Sequence, residues 1–289
     1  MQGIIPDLVP NEQLGLASGL KNLLDMLGLI VASLAAGSLL SPDDRYPTTI
    51  MIFVMAVLLI SAAVSFFSVK EKPTNKGNRK GRAVKLKQIF SIDLNANSAF
   101  VWLIISRFIF LVGIYGIQTF AQYYIRDVMQ AANPVKATGD LMASLAIALV
   151  ICSLIGGWLT DKIGARRVIY AASLLSAIGA FLLVAANDIP SLTFFAGILG
   201  AGIGLYLSSN WALASQLAPK EEAGKFLGLT NLATAGASAV SKLGGIPIDI
   251  ANNAFPGHYF GYTGLFIIGG VFALISMLLL HKIKENQAN

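Results

Sequence analysis

Charge is what this sequence has least of. Asp, Glu, Lys and Arg make up 12% of its 289 residues, against 55% hydrophobic residues, whereas soluble domains carry about a quarter charged residues. That shortage argues against an ordinary soluble domain and points to a bilayer. Ten-residue stretches of alternating polarity are lacking too, which disfavours a lipid-facing barrel. Cysteine occurs once, as Cys152, so no intramolecular disulfide or cysteine metal cluster is expected. A lone cysteine within an apolar span reads as packing. Histidine occurs only as His258 and His281, leaving no metal-ligand spacing and no nucleophile–base pair for a membrane enzyme. No G-x-x-x-x-G-K-[ST] phosphate loop is present, which argues against an ATP-driven pump, and no cofactor is expected. Residues 1–10 lack a basic start followed by an apolar core, so no cleavable signal peptide is visible.

Long apolar stretches are abundant instead. Eight spans are expected at 14–40, 48–69, 99–125, 138–160, 167–187, 190–213, 224–251 and 261–281. Each reaches the roughly 20 residues that a helix needs to cross a ~30 Å hydrocarbon core. The net charge of +6 raises the question of nucleic acid, but the basic residues alternate between loops. Lys70, Lys72, Lys76, Arg79, Lys80, Arg82, Lys85 and Lys87 share one connection. Further cations fill every second loop after it: Lys162, Arg166 and Arg167, then Lys220 and Lys225, then Lys282 and Lys284. The intervening loops hold only Arg45, Arg126 and Lys136. This is the positive-inside pattern. It predicts a multi-pass protein of the plasma (inner) membrane, with residues 70–98 and the C-terminus cytoplasmic and the lipid bilayer, not nucleic acid, as its surroundings.

An internal repeat organises the spans. Pro10, Glu12, Gly15, Gly19, Leu20, Asn22 and Leu23 recur, at an offset of 209 residues, as Pro219, Glu221, Gly224, Gly228, Leu229, Asn231 and Leu232. Pro ends the preceding helix, Glu suits the positive end of the next, and the paired glycines form GxxxG, which lets helices approach closely in lipid. Parallel repeats of this kind are a transporter trait. The expected organisation is 1–69 as the end of an N-terminal half-bundle, 70–98 as a basic cytoplasmic linker and 99–289 as a complete six-helix bundle. The offset also predicts about four equivalent spans ahead of Met1, so that residues 1–289 alone are not expected to transport.

At the end of the fourth span, Gly157, Asp161, Lys162, Gly164, Arg166 and Arg167 stand in a G-x-x-x-D-[RK]-x-G-x-[RK]-[RK] pattern. The pattern resembles a loop signature of the major facilitator superfamily, and the repeat resembles the turns before that family's fifth and eleventh helices. The resemblance implies an all-α integral membrane fold, with the eight spans corresponding to helices 5–12. Gly164 would permit a tight turn, and Arg166 and Arg167 would face the anionic inner leaflet. In the family the acid equivalent to Asp161 helps latch the cytoplasmic side; its partner here would be the start of the first span, around Gly15 to Ser18. An ordinary topogenic loop is the competing reading. Ile5-Pro6-Asp7-Leu8-Val9-Pro10 and Tyr123-Tyr124-Ile125-Arg126-Asp127 further resemble the glycoside–pentoside–hexuronide and sucrose-type branches.

Ionisable residues inside spans usually face a cavity or a partner. Arg107, Tyr115, Gln118 and Gln122 fall on one face of the third span. They form either a cavity stripe for a hydroxylated or anionic solute or, at Arg107, a packing tie. Asn231, Ser238, Lys242 and Asp249 share a face of the seventh span, which Gly244, Gly245 and Pro247 should kink. That face is a polar path or the seam between half-bundles. Lys21 and Asp25, four apart, are expected to neutralise each other. The glycine-rich sixth span brings Asn210 and Trp211 as further cavity candidates. The expected function is secondary transport of a small solute, with a sugar or glycoside as the leading class and H+ or Na+ as coupling ion, by a protein monomeric at full length. The alternatives are a multidrug or metabolite efflux carrier and a non-transporting scaffold or sensor.

Overall fold

The computed structural model describes residues 13, 16–20, 23, 24, 28, 48–68, 97–219 and 222–283. All regular structure among them is helical. Helix α1 (Thr48–Ser68) belongs to a compact unit of its own, Asp25–Ser91. Met51, Ile52, Met55, Leu58, Leu59 and Ile60 are all exposed on it, so its apolar surface runs all round, as in a membrane span.

The other unit joins residues 1–24 to 92–289. It holds α2 (Ser98–Asp127), α3 (Pro134–Ile163), α4 (Ala165–Val184), α5 (Ile189–Leu217), α6 (Ala223–Ser241), α7 (Gly245–Ala254) and α8 (Phe260–Leu279). A 3-10 turn, Lys242–Gly244, separates α6 from α7, and a second, Leu280–Lys282, closes α8. Helices α2 to α5, and α8 with its closing turn, are long and apolar enough to cross a bilayer. The break between α6 and α7 falls at the Gly244-Gly245-Ile246-Pro247 sequence predicted to kink the seventh span. Most of the first span, including Lys21 and Asp25, lies outside the described residues.

Local chemistry sets the helix ends. Asn133 caps α3 by accepting the Lys136 N–H at 3.0 Å, with Pro134 in the first turn, where a missing N–H costs nothing. Asp188 and Ser191 form a reciprocal capping box on α5: Ser191 N donates to Asp188 Oδ1 at 2.8 Å, and Asp188 N donates to Ser191 Oγ at 3.3 Å. These caps start both helices ahead of their apolar runs. Between α3 and α4 stands Gly164 at φ 89°, a left-handed angle that side chains resist; two membrane helices therefore reverse across one residue.

Helix α5 is the centre of packing. It lies between α3 and α4, while α8 packs on α2 and α4, and α6 packs on α2. Gly200 and Gly204 make the α3 contact possible, because a Cβ on either would collide with the carbonyl oxygen of Leu145 or Leu149. On the opposite side of α5, a Cβ on Gly202 would stand 2.6 Å from the Ser176 nitrogen of α4. Small residues of this kind drive helix association in lipid, where apolar burial offers little. The outer face of α3, Ile147, Ile151, Ile155 and Trp158, is exposed, as suits a surface turned to acyl chains.

Candidate functional site

Polar chemistry concentrates where α2 meets α5, α6 and α8. Phe110 of α2 and Tyr206 of α5 stack with ring centroids 3.6 Å apart. Beside them Ser106 Oγ donates to the Ser276 carbonyl at 3.0 Å, its hydroxyl lies 2.8 Å from Ser276 Oγ, and Tyr206 OH lies 3.2 Å from that same atom. Every one of these groups is buried, so the network satisfies hydroxyls that would otherwise be costly in hydrocarbon.

Arg107 extends this network toward α6. It is 6% exposed; its Nη1 donates to Asn210 Oδ1 at 2.7 Å and its Nε to Thr234 Oγ1 at 3.2 Å. Thr234 in turn donates to the Thr230 carbonyl at 3.0 Å. Beyond Thr234 opens a groove of about 620 Å³, lined by Tyr115, Gln118 and Thr119 from α2 and by Asn231, Thr234, Ala235 and Ser238 from α6. The two stripes read from sequence thus meet across one groove. Tyr115, Gln118, Asn231 and Ser238 stand in its walls. Gln122 is exposed beyond them.

Asn210 is fully buried and Trp211 is 2% exposed, and neither lines the groove. Asn210 instead holds the Arg107 guanidinium from behind. Lys242 sits exposed in the 3-10 turn and Asp249 exposed on α7. The residue that sequence reading missed is Thr234, which is both groove wall and arginine ligand. Its signal was the i, i+3, i+7 spacing of Asn231, Thr234 and Ser238, which puts all three on one helical face. Among the described residues, no group of three or more His, Cys, Asp or Glu residues is placed to hold a metal ion.

A second site lies at the α3–α4 turn. Asp161 Oδ2 accepts the backbone N–H of Leu16 at 2.9 Å. Leu16 lies in the described helical stretch 16–20, within the Gly15 to Ser18 segment named as its expected partner. One turn on, a Cβ on Gly19 would stand 2.7 Å from the Ser153 carbonyl oxygen of α3. Gly157 is buried, and Lys162 Nζ lies 4.0 Å from the Trp158 ring centroid, a cation–π contact. Arg166 donates to Tyr170 OH at 3.3 Å from both Nε and Nη2, whereas Arg167 is exposed.

A family model described as Major Facilitator Superfamily matches residues 1–242 and 135–288. The chain belongs to that superfamily. Within it, the multi-drug resistance efflux pump PmrA of Streptococcus pneumoniae is 24% identical over 98% of this chain and 69% of its own length. The minor myo-inositol transporter IolF of Bacillus subtilis is 27% identical over 52% of this chain and 33% of its own. A solved bacterial homologue of the iron transporter ferroportin, in an outward-facing state, superposes with a TM-score of 0.71 at 18% identity. It covers 97% of this chain and 66% of that structure, and it speaks for the fold alone. The chain thus spans about two thirds of PmrA and of the ferroportin homologue, and one third of IolF. They are transporters, and as a member of the superfamily this chain is an all-helical, multi-pass membrane protein of transporter type.

Proposed function

We propose that the chain forms most of a secondary transporter that moves a small hydroxylated solute by alternating access, with the α2–α6 groove as one wall of the path. The observation that carries this reading is the lining itself. Tyr115, Gln118, Thr119, Asn231, Thr234 and Ser238 present amides and hydroxyls in front of a buried arginine, and among the described residues no carboxylate lines the groove. Convergent neutral donors and acceptors suit a sugar or cyclitol. The glycoside–pentoside–hexuronide lean and coupling to H+ or Na+ belong to the same proposal. So do the cytoplasmic placement of 70–98 and the division at 1–69, 70–98 and 99–289. Asp161 acts in it as a cytoplasmic latch on the 16–20 stretch.

The test is uptake into proteoliposomes by the product of the complete open reading frame, with labelled sugars and inositols, with and without proton or sodium gradients. Saturable uptake that falls at least about tenfold in Gln118→Leu and Asn231→Leu is the expected result. Multidrug efflux is the second reading, favoured by the match to PmrA along nearly the whole chain. Energy-dependent ethidium extrusion, with no uptake of hydroxylated solutes, would replace the first reading with the second.

A further inference from the structure

Building on that reading of the groove, we propose that its solute is an anion: a small hydroxylated carboxylate whose charge is met by Arg107 and whose hydroxyls are met by Gln118, Asn231 and Ser238. The starting point is a charge without a counter-charge among the described residues. Arg107 is 6% exposed on a membrane-spanning helix, and both of its hydrogen-bond partners, Asn210 and Thr234, are neutral. The ion pairs formed among the described residues are Arg126–Asp127 and Lys225–Glu222, and neither involves it. Removing a cation from water with no anion beside it is costly, and an intramembrane arginine that persists there is by default waiting for something.

Geometry says where the missing charge would arrive. Nε and Nη1 are engaged, while Nη2 has no acceptor among the described residues and is not among the side-chain atoms that are both sealed and unpartnered. Thr234, bonded to Nε, is itself part of the groove wall, so the guanidinium stands directly behind that wall. An anion seated against Thr234 would lie one side chain away from the guanidinium. Lys242 and Asp249 are both exposed and neither lines the groove, so among the described residues the charge beside its wall is that of Arg107. One guanidinium balances one carboxylate, which favours a monoacid over a doubly charged phosphate monoester. Arginine is also the side chain suited to planar oxyanions.

The experiment compares acids with their neutral counterparts on the complete gene product: gluconate against sorbitol and galacturonate against galactose. It reads thermal shift in detergent and uptake in proteoliposomes. The wild type is expected to prefer each acid by about tenfold or more. Asn210→Asp is nearly isosteric and places a carboxylate at Arg107 Nη1. It is expected to raise the melting temperature of the solute-free protein and to collapse the acid-over-neutral ratio toward one. Arg107→Gln is expected to abolish acid uptake, and if that variant does not fold, Asn210→Asp still decides. Neutral solutes bound as well as acids by the wild type, or an unchanged ratio in Asn210→Asp, overturns the anion assignment while leaving the hydroxylated-solute reading in place. If none of the four probes binds or moves, that broader reading fails and takes this one with it.

Discussion

Gly200 and Gly204 on α5 face the backbone of α3 so closely that neither can carry a side chain, while Gly224 and Gly228 on α6, at the same four-residue spacing, meet nothing within 4 Å among the described residues. The two pairs share a motif and differ in use. Helix α5 is locked between two neighbours by backbone contact. Helix α6 leans on α2 through larger groups: Phe226 meets Phe100 edge-on with centroids 4.7 Å apart, and Thr234 meets Arg107. GxxxG therefore permits close approach without dictating it. The bundle combines a helix that cannot shift without collision and a broken polar helix whose glycine face meets none of the described residues. The polar groove is built on the second.

The sharpest way to break this comparison is to fill the glycines. Gly204→Val drives a branched side chain into the Leu149 carbonyl and should destabilise the protein by about 3 kcal/mol or prevent folding, read as a lower melting temperature and loss of the monodisperse peak in detergent. Next is Asn210→Leu, which takes one of its two hydrogen bonds from the buried arginine. It should cost about 2 kcal/mol, seen in the same thermal assay, and Asn210→Gln should not restore it, because the longer side chain misplaces the acceptor.

A smaller effect is expected at the rim. Asp188→Ala removes the α5 capping box and should lower the melting temperature by less than Asn210→Leu does. Hydrogen bonds from Ser191 hold the Asp188 carboxyl below its ordinary value. Its contribution is thus complete above the unfolded carboxylate pKa and is lost as pH falls through the lower folded value. The gap in melting temperature between wild type and Asp188→Ala should therefore close in acid. Smallest of all, Gly228→Ala should change stability by no more than about 0.5 kcal/mol. A loss at Gly228 as large as that at Gly204 would erase the distinction between the two helices.

Much of the bundle was legible from apolar length alone, because a bilayer imposes a minimum span on every helix. Helix edges were less so. Apolar runs suggested starts at 138 and 190, whereas Asn133 with Pro134, and Asp188 with Ser191, begin α3 and α5 earlier by capping. Helix α5 also continues to Leu217, past the expected limit at 213, and Ser215 in that last turn is buried. In the groove, periodicity found Tyr115, Gln118, Asn231 and Ser238. Thr234 escaped notice because a threonine in a membrane helix can bond its own backbone one turn back, as it does here. The Arg107–Asn210 bond was out of reach: it joins residues 103 apart, and its register depends on which glycines touch which carbonyls.

The bond from Leu16 to Asp161 carries a consequence for motion. The carboxylate that accepts the Leu16 N–H is lent from 145 residues away. The lender and the borrower can part without unfolding either helix, and the exposed site lets water replace the lost acceptor. Such a cap is worth about 1 kcal/mol, so it slows separation roughly fivefold. In the proposed alternating-access cycle its place is that of a detent: firm enough to favour one position, and weak enough to be left.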